Sequence, residues 1–446
     1  MELLHRLKRD TKTRNKLLAV FAMMFLLLIG YRIPLPGINA EQIRIMMSPL
    51  LNTSAGGFLN AMMGNSLSQM SIFALSITPY ITASILIQLL GVIVPSIEAM
   101  QKDGSVGRQK IERLTYMLGA IVAVIESLGL AIGLGKQGMF YNYSWYMVLY
   151  ATAVWTVGAC FLIWCGQFIT NKLIGNGISL ILMFNILTSL PGNIINIYNQ
   201  FSYGQPIWVK IITVITIIIV FALMYGYTVV LGAAEKRLPV TNSSKSGMKM
   251  NGAQSNDLPL KLNMGGVMPI IFSSSMMSVP MIIGQVFKVD TNSVGGHIIA
   301  CFNQGMWFNL DRPWYTVGVL LFIPLTFVFA YFYSMISFNP KDIADNLKKS
   351  GSVIKGIRPG DPTTEYLTKQ ARSMLWLGTS MLLVIALFPT LISGLFGISG
   401  LSFGGTTIII IVGTILEMKN TITAQTASVA YRSLIKKRGN RRLWNF

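Results

Sequence analysis

The chain has 446 residues, of which 52% are apolar, 12% charged and 11% aromatic. Soluble domains of ordinary composition carry about 25% charged residues, so a string of water-soluble domains is excluded and the long apolar runs make this a polytopic membrane protein. The 36 Lys and Arg outnumber the 16 Asp and Glu to give a net charge of +20, yet the basic residues lie between the apolar runs and form no stripe of the kind that binds nucleic acid.

Residues 1–16 are a basic segment. The first apolar run, Leu17 to Leu35, leads into Arg32-Ile33-Pro34-Leu35-Pro36-Gly37 without a small-x-small cleavage pattern, so it reads as a retained span and not a signal peptide. A transmembrane helix needs about 20 mostly apolar residues. Four more runs complete the first set: Ile72 to Pro95, Leu114 to Leu134, Met147 to Thr170 and Ile178 to Ile197. The second set is Trp208 to Gly232, Gly266 to Phe287, Trp314 to Phe338, Met374 to Ile392 and Thr406 to Gln425. With span ends included, thirty of the 36 Lys and Arg residues fall on one side of this ten-span arrangement and six on the other. The asymmetry places both termini in the cytoplasm, and an odd number of spans would scramble it.

Between the first two spans, Ser54 to Asn65 is bounded by glycines and is too short and polar to cross a bilayer. It fits a re-entrant segment, which membrane depth tolerates only if protein or a watery cavity surrounds it; an external surface loop is the alternative. Pro79 and Pro269 occupy matching places in spans 2 and 7. Two five-span halves in one chain face opposite ways, and matched helix interruptions in such halves point to a path or site at their interface. The predicted organisation is a first half over 17–200, a second half over 201–431 with cytoplasmic loops at 233–263 and 338–373, and a basic tail over 432–446.

Catalytic patterns are missing. His5 and His297 are the two histidines, and Cys160, Cys165 and Cys301 include no CxxC, so neither a triad nor a metal site is expected and the cysteines read as packing residues. The GxxxxGK[ST] loop is absent as well, so the energy source lies in a partner or a gradient and no cofactor is expected. Glu126 is the clearest ionisable residue within a span. A carboxyl at that depth marks either an ion path or a structural group facing a cavity. Aliphatic and small polar side chains suit a passive conduit closed by a hydrophobic constriction. A secondary transporter of a small solute and a non-transporting scaffold remain open on these grounds.

Five phrases carry a resemblance: Arg32-Ile33-Pro34-Leu35-Pro36-Gly37; Ser71 through Ile81; Ile174-Gly175-Asn176-Gly177-Ile178-Ser179; Leu258-Pro259-Leu260-Lys261-Leu262-Asn263 running into Pro269; and Phe338-Asn339-Pro340 through Gly356-Ile357-Arg358-Pro359-Gly360. In this order, over essentially the whole chain, they resemble the SecY family, channel subunits of the bacterial Sec protein translocase. The resemblance implies an all-α fold of ten transmembrane helices in two inverted five-helix halves, with a short re-entrant plug and a lateral gate. It implies a pore ring at Ile77, Ile81, Leu182, Ile186, Ile271 and Ile410, of which Ile77/Ile81 and Leu182/Ile186 are i,i+4 neighbours on one helix face. The plug falls on Ser54, Gly56, Gly57, Phe58, Leu59, Asn60, Met62, Met63, Gly64 and Asn65. Docking of a SecA motor or a ribosome falls on Lys236, Arg237, Lys348, Lys349, Lys355 and Arg358. Implied companions are SecE- and SecG-like small membrane subunits, secretory polypeptides with their signal peptides, and the lipids of the bacterial cytoplasmic membrane. Three departures stand out: Val240 through Gly247 lacks the further basic and aromatic residues usual there, Gln167 stands where Glu is common, and Glu126 where an uncharged polar residue is usual.

Overall fold

The computed structural model describes residues 11–39, 42, 60, 62–136, 138, 140–202, 206–242, 257–286, 293–308, 313–396 and 403–442. They form two compact units, residues 1–197 with 410–446, and residues 198–409.

The first unit opens with α1 (Thr11–Tyr31) and continues through a single turn, α2 (Ser66–Gln69), into α3 (Thr78–Ile93), α4 (Pro95–Lys102), α5 (Gly104–Lys136), α6 (Trp145–Lys172) and α7 (Gly177–Ser202). Helix α5 packs on both α3 and α6. Lipid tails give helices no hydrophobic reason to associate, so close packing of small residues must do it; Ala123 and Ala131 of α5 and Ala151 and Ala159 of α6 are all fully buried in one cluster with Trp155. A Cβ at Gly158 of α6 would collide with the Ile72 carbonyl. The phrase before α7 has the same local logic. Asn176 Oδ1 accepts from Ile178 N at 3.2 Å at the helix start, and a Cβ at Gly177 would strike the Gly166 carbonyl of α6.

Span 2 starts later than its hydropathy suggests. Residues 72–77 form turns and α3 begins at Thr78. Pro79 therefore sits in the first turn, where the missing N–H costs nothing, and does not interrupt the helix. The turns are held from outside: Leu35 N donates to Met70 O, Ile72 N to Ile33 O, each at 3.0 Å, and Trp155 Nε1 to Ser71 O at 3.1 Å. Two of the five phrases are thus backbone partners.

The second unit begins at Tyr198, within the last turns of α7, continues with α8 (Ile207–Ala233) and reaches the strands β1 (Glu235–Leu238), β2 (Val240–Asn242) and β3 (Leu258–Lys261). Next come α9 (Met268–Val286), α10 (Val294–Cys301), α11 (Val317–Ser337), α12 (Pro340–Lys349), β4 (Ser352–Ile354) and α13 (Asp361–Phe396). The last helix, α14 (Phe403–Arg442), is divided between the two units. Pro269, like Pro79, is the second residue of its helix. Helix α11 packs on α9 and α13, and α8 on α13. The buried residues of α8 are Met224, Thr228 and Leu231, and most of its other large aliphatic side chains are exposed, as a lipid-facing helix requires.

Every predicted span falls on a helix. Among the described residues, seven helices are long and apolar enough to cross a membrane, and Thr78–Gly91 of α3 and Gly177–Gly192 of α7 are shorter apolar stretches.

The described parts of loops 233–263 and 338–373 hold more structure than their basic composition suggests. β1 pairs antiparallel with β3, Lys236 opposite Leu260, and β2 pairs antiparallel with β4, Val240 opposite Ile354. The second pairing joins loop 233–263 to loop 338–373. Leu238, Val240, Leu260, Ala344, Ile354 and Leu367 form a small buried core beneath both.

Candidate functional site

The six predicted ring positions are all buried, none more than 4% exposed. Ile77 is the residue before α3, and Ile81 lies one turn on, its N–H donating to the Ile77 carbonyl at 3.1 Å. Leu182 and Ile186 are one turn apart on α7, Ile271 lies in the first turn of α9 and Ile410 in α14. Ile271 belongs to the second unit and the other five to the first.

Of the predicted plug, Ser54, Gly56, Gly57, Phe58 and Leu59 lie outside the described residues. Asn60, Met62, Met63 and Gly64 are buried and Asn65 is half-buried. Asn65 N donates to Asn60 O at 2.8 Å, Asn60 Nδ2 to Asn65 Oδ1 at 3.0 Å, and Ser68 N to Asn60 Oδ1 at 3.1 Å. Gly64 and Asn65 take φ of 63° and 62°; glycine and asparagine tolerate this left-handed region best. Two residues with no such tolerance follow, Met70 at 44° and Ser76 at 51°.

Beside this segment stands Asn185, on α7 between Leu182 and Ile186, almost fully buried. Its Nδ2 donates to Tyr31 Oη at 3.0 Å, to the Met62 carbonyl at 3.0 Å and to Ser76 Oγ at 3.1 Å. The Tyr31 and Ser76 hydroxyls bond each other at 3.0 Å. Four stretches of chain thus meet at one amide. The sequence pattern passed over Asn185, although an amide in an otherwise apolar run, Leu180 to Leu187, is itself a signal, since such a group needs partners at membrane depth.

Glu126 of α5 has a partner that is not a cation: Thr82 Oγ1 of α3 donates to its Oε1 at 3.2 Å.

The docking candidates gather on the platform. Lys236 and Arg237 are exposed on β1, where Lys236 Nζ donates to Gln370 Oε1 at 2.8 Å and Arg237 pairs with Glu235 at 2.8 Å. Lys348 and Lys349 end α12, a site favoured by the helix dipole. Lys355 N bonds the Pro239 carbonyl at 3.3 Å, another tie between the loops. Arg358 is exposed on a turn flanked by Gly356 and Gly360, at φ 83° and 102°. Thr363 Oγ1 donates to the Arg358 carbonyl at 2.7 Å, which fixes the turn while leaving the guanidinium free to solvent.

Comparison with known proteins gives one consistent answer. The family model for SecY matches residues 71–419. The protein translocase subunit SecY of Staphylococcus aureus is 35% identical over 433 residues, covering 95% of this chain and 97% of its own. The chain belongs to the SecY family. The Staphylococcus epidermidis SecY is 34% identical over 430 residues, 94% of this chain and 96% of the relative. At the level of fold, the chain superposes on a solved protein-conducting channel with a TM-score of 0.68, 18% identity and 94% of both chains covered. It matches Sec61 in a canine ribosome–channel complex from the endoplasmic reticulum with a TM-score of 0.67 and 18% identity, again over 94% of both chains. A SecY structure whose plug domain is described as stabilising the closed state and maintaining a membrane seal matches with a TM-score of 0.64 and 17% identity over 94% of both chains. The ten-helix polytopic membrane fold is therefore the SecY fold, and all six ring positions and all six docking positions lie within residues 71–419.

Proposed function

We propose that this chain is the channel subunit of a bacterial Sec translocase, passing unfolded secretory polypeptides across the cytoplasmic membrane and releasing apolar segments sideways into lipid. Family membership carries the channel function. The observation that supports the pore assignment is the burial of six aliphatic side chains at the ring positions, with residues 62–65 folded beside the helix that holds two of them. Aliphatic chains yield around a polypeptide of any sequence and give water and ions no hydrogen-bonding partner. That is a seal with no preference for what passes.

The ring comprises Ile77, Ile81, Leu182, Ile186, Ile271 and Ile410, and the plug is the segment from Ser54 to Asn65. Both termini face the cytoplasm, in keeping with the charge asymmetry. The joined loops present Lys236, Arg237, Lys348, Lys349, Lys355 and Arg358 to a SecA-like motor with an acidic face or to ribosomal RNA phosphates, and SecE- and SecG-like subunits complete the assembly. The test is to trap a secretory chain in transit and probe it with photocrosslinkers at Ile81 and Ile271. Crosslinks from both positions are expected; a trapped chain that reacts with neither overturns the assignment.

A further inference from the structure

The buried amide of Asn185 has two N–H groups and three acceptors within 3.1 Å, two of them hydroxyls and the third the Met62 carbonyl. The hydroxyls belong to α1 and to the turn before α3, and each also bonds the other. Met62 differs in kind. It is backbone from the segment read as the plug, and a carbonyl can only accept. If that segment leaves, Asn185 still has Tyr31 and Ser76 for its two N–H groups, so the socket stays satisfied without its guest. The Met62 carbonyl, in contrast, is buried and dry while the segment is in place and becomes solvated when it goes out. An arrangement satisfied in both states holds reversibly.

The other side of the amide is also occupied. A Cβ at Gly64 would lie 3.1 Å from Asn185 Oδ1 and 3.2 Å from its Cγ, at a φ of +63° that side chains rarely adopt. Backbone therefore closes on the amide from two directions, and the turn at Gly64-Asn65 brings it there. Ser76, an acceptor in the socket, holds a left-handed φ of 51°. A conformation of that kind persists only where its surroundings over-determine it. Position matters as much as bonding: Asn185 is flanked on its helix by Leu182 and Ile186, so whatever spreads those two side chains displaces the amide with them.

We propose that Asn185 is the catch of the plug, a positioning residue that holds the 60–65 segment closed through the Met62 carbonyl and lets it go when α7 is pushed outward by an entering chain. The inference rests on the reading of 54–65 as a plug, and it ties the seal to the ring: widening at Leu182 and Ile186 is the same motion that withdraws the donor.

The test uses the full chain in proteoliposomes, with Cys160 and Cys301 replaced by Ala, Cys165 kept, and a thiol introduced by Met62→Cys, which leaves the carbonyl in place. Labelling by a membrane-impermeant maleimide reports release of the segment, and Cys165, buried in α6, reports general loosening. Asn185→Leu leaves the Met62 carbonyl buried without its donor, so labelling at position 62 is expected to quicken about tenfold, with resting ion conductance rising alongside and Cys165 still protected. Asn185→Ser, too short to reach Met62 yet easily housed in a membrane helix, is expected to act in the same direction and decides the matter should Asn185→Leu fail to insert. Wild-type labelling in the inserted variants overturns the catch, as does labelling at Cys165 together with position 62. Because the thiol assay needs no translocating substrate, failure of the channel reading shows separately, as absence of crosslinks from a trapped precursor to Ile81 and Ile271.

Discussion

Replacing Ile81 by Asn puts a polar group at a ring position that is 4% exposed. Burial of a whole Ile side chain is worth about 1.5–3 kcal/mol, which the dry closed state loses. An amide left there without partners costs a further ~1–3 kcal/mol. Both terms vanish once the constriction fills with water, because Asn is then solvated, so they add in favour of the wet state. At 1.4 kcal/mol per tenfold, a combined ~2.5–6 kcal/mol shifts the closed-to-wet ratio by roughly two to four powers of ten. Ile410→Asn, at a position with no exposed surface, follows the same arithmetic, whereas Ile81→Leu conserves volume and costs under about 1.5 kcal/mol. Planar-bilayer recordings should show a raised resting ion conductance for both Asn variants and near wild-type sealing for Ile81→Leu. Cells carrying the Asn variants should export precursors with defective signals. Unchanged conductance and unchanged signal stringency in both Asn variants would refute the aliphatic seal.

Three further outcomes follow from other parts of the molecule. Arg358→Glu reverses an exposed charge on a turn held by backbone, so stability should change by less than ~0.5 kcal/mol while motor-driven export in vesicles falls by at least about tenfold; normal export removes the docking role. Glu126→Gln keeps an oxygen that accepts from Thr82, so precursor export should stay within about twofold of wild type, and its loss would show that the carboxylate itself is used. Gly318→Ala places a methyl against the Cys301 carbonyl and Trp307 Nε1, which bond each other at 2.8 Å; thermal unfolding in detergent should register a loss of about 2–4 kcal/mol from overpacking and the broken bond.

Each apolar run picked out by hydropathy falls on a helix, because about 20 apolar residues in a row have few other uses. It misplaced the start of α3, since Ile72 to Ile77 is as apolar as the helix that follows. What makes it turns is remote: a carbonyl taken by Trp155, backbone pairing to Ile33 and Leu35, and a left-handed Ser76. The strands escaped notice because three or four residues give period-2 alternation no room to declare itself. All six ring candidates came from the family resemblance, with which the i,i+4 spacing of Ile77/Ile81 and Leu182/Ile186 agrees. Asn185 was missed because its three acceptors lie 109 to 154 residues away in the chain, and no local pattern encodes a meeting of that kind.

The β2–β4 pairing has a mechanical consequence. β2 leads back to the end of α8 at Ala233, and β4 lies between α12, which follows the end of α11 at Ser337, and α13, which starts at Asp361. A force on either loop therefore loads the ends of several helices together, and the displacement is shared among them instead of spent in bending one strap.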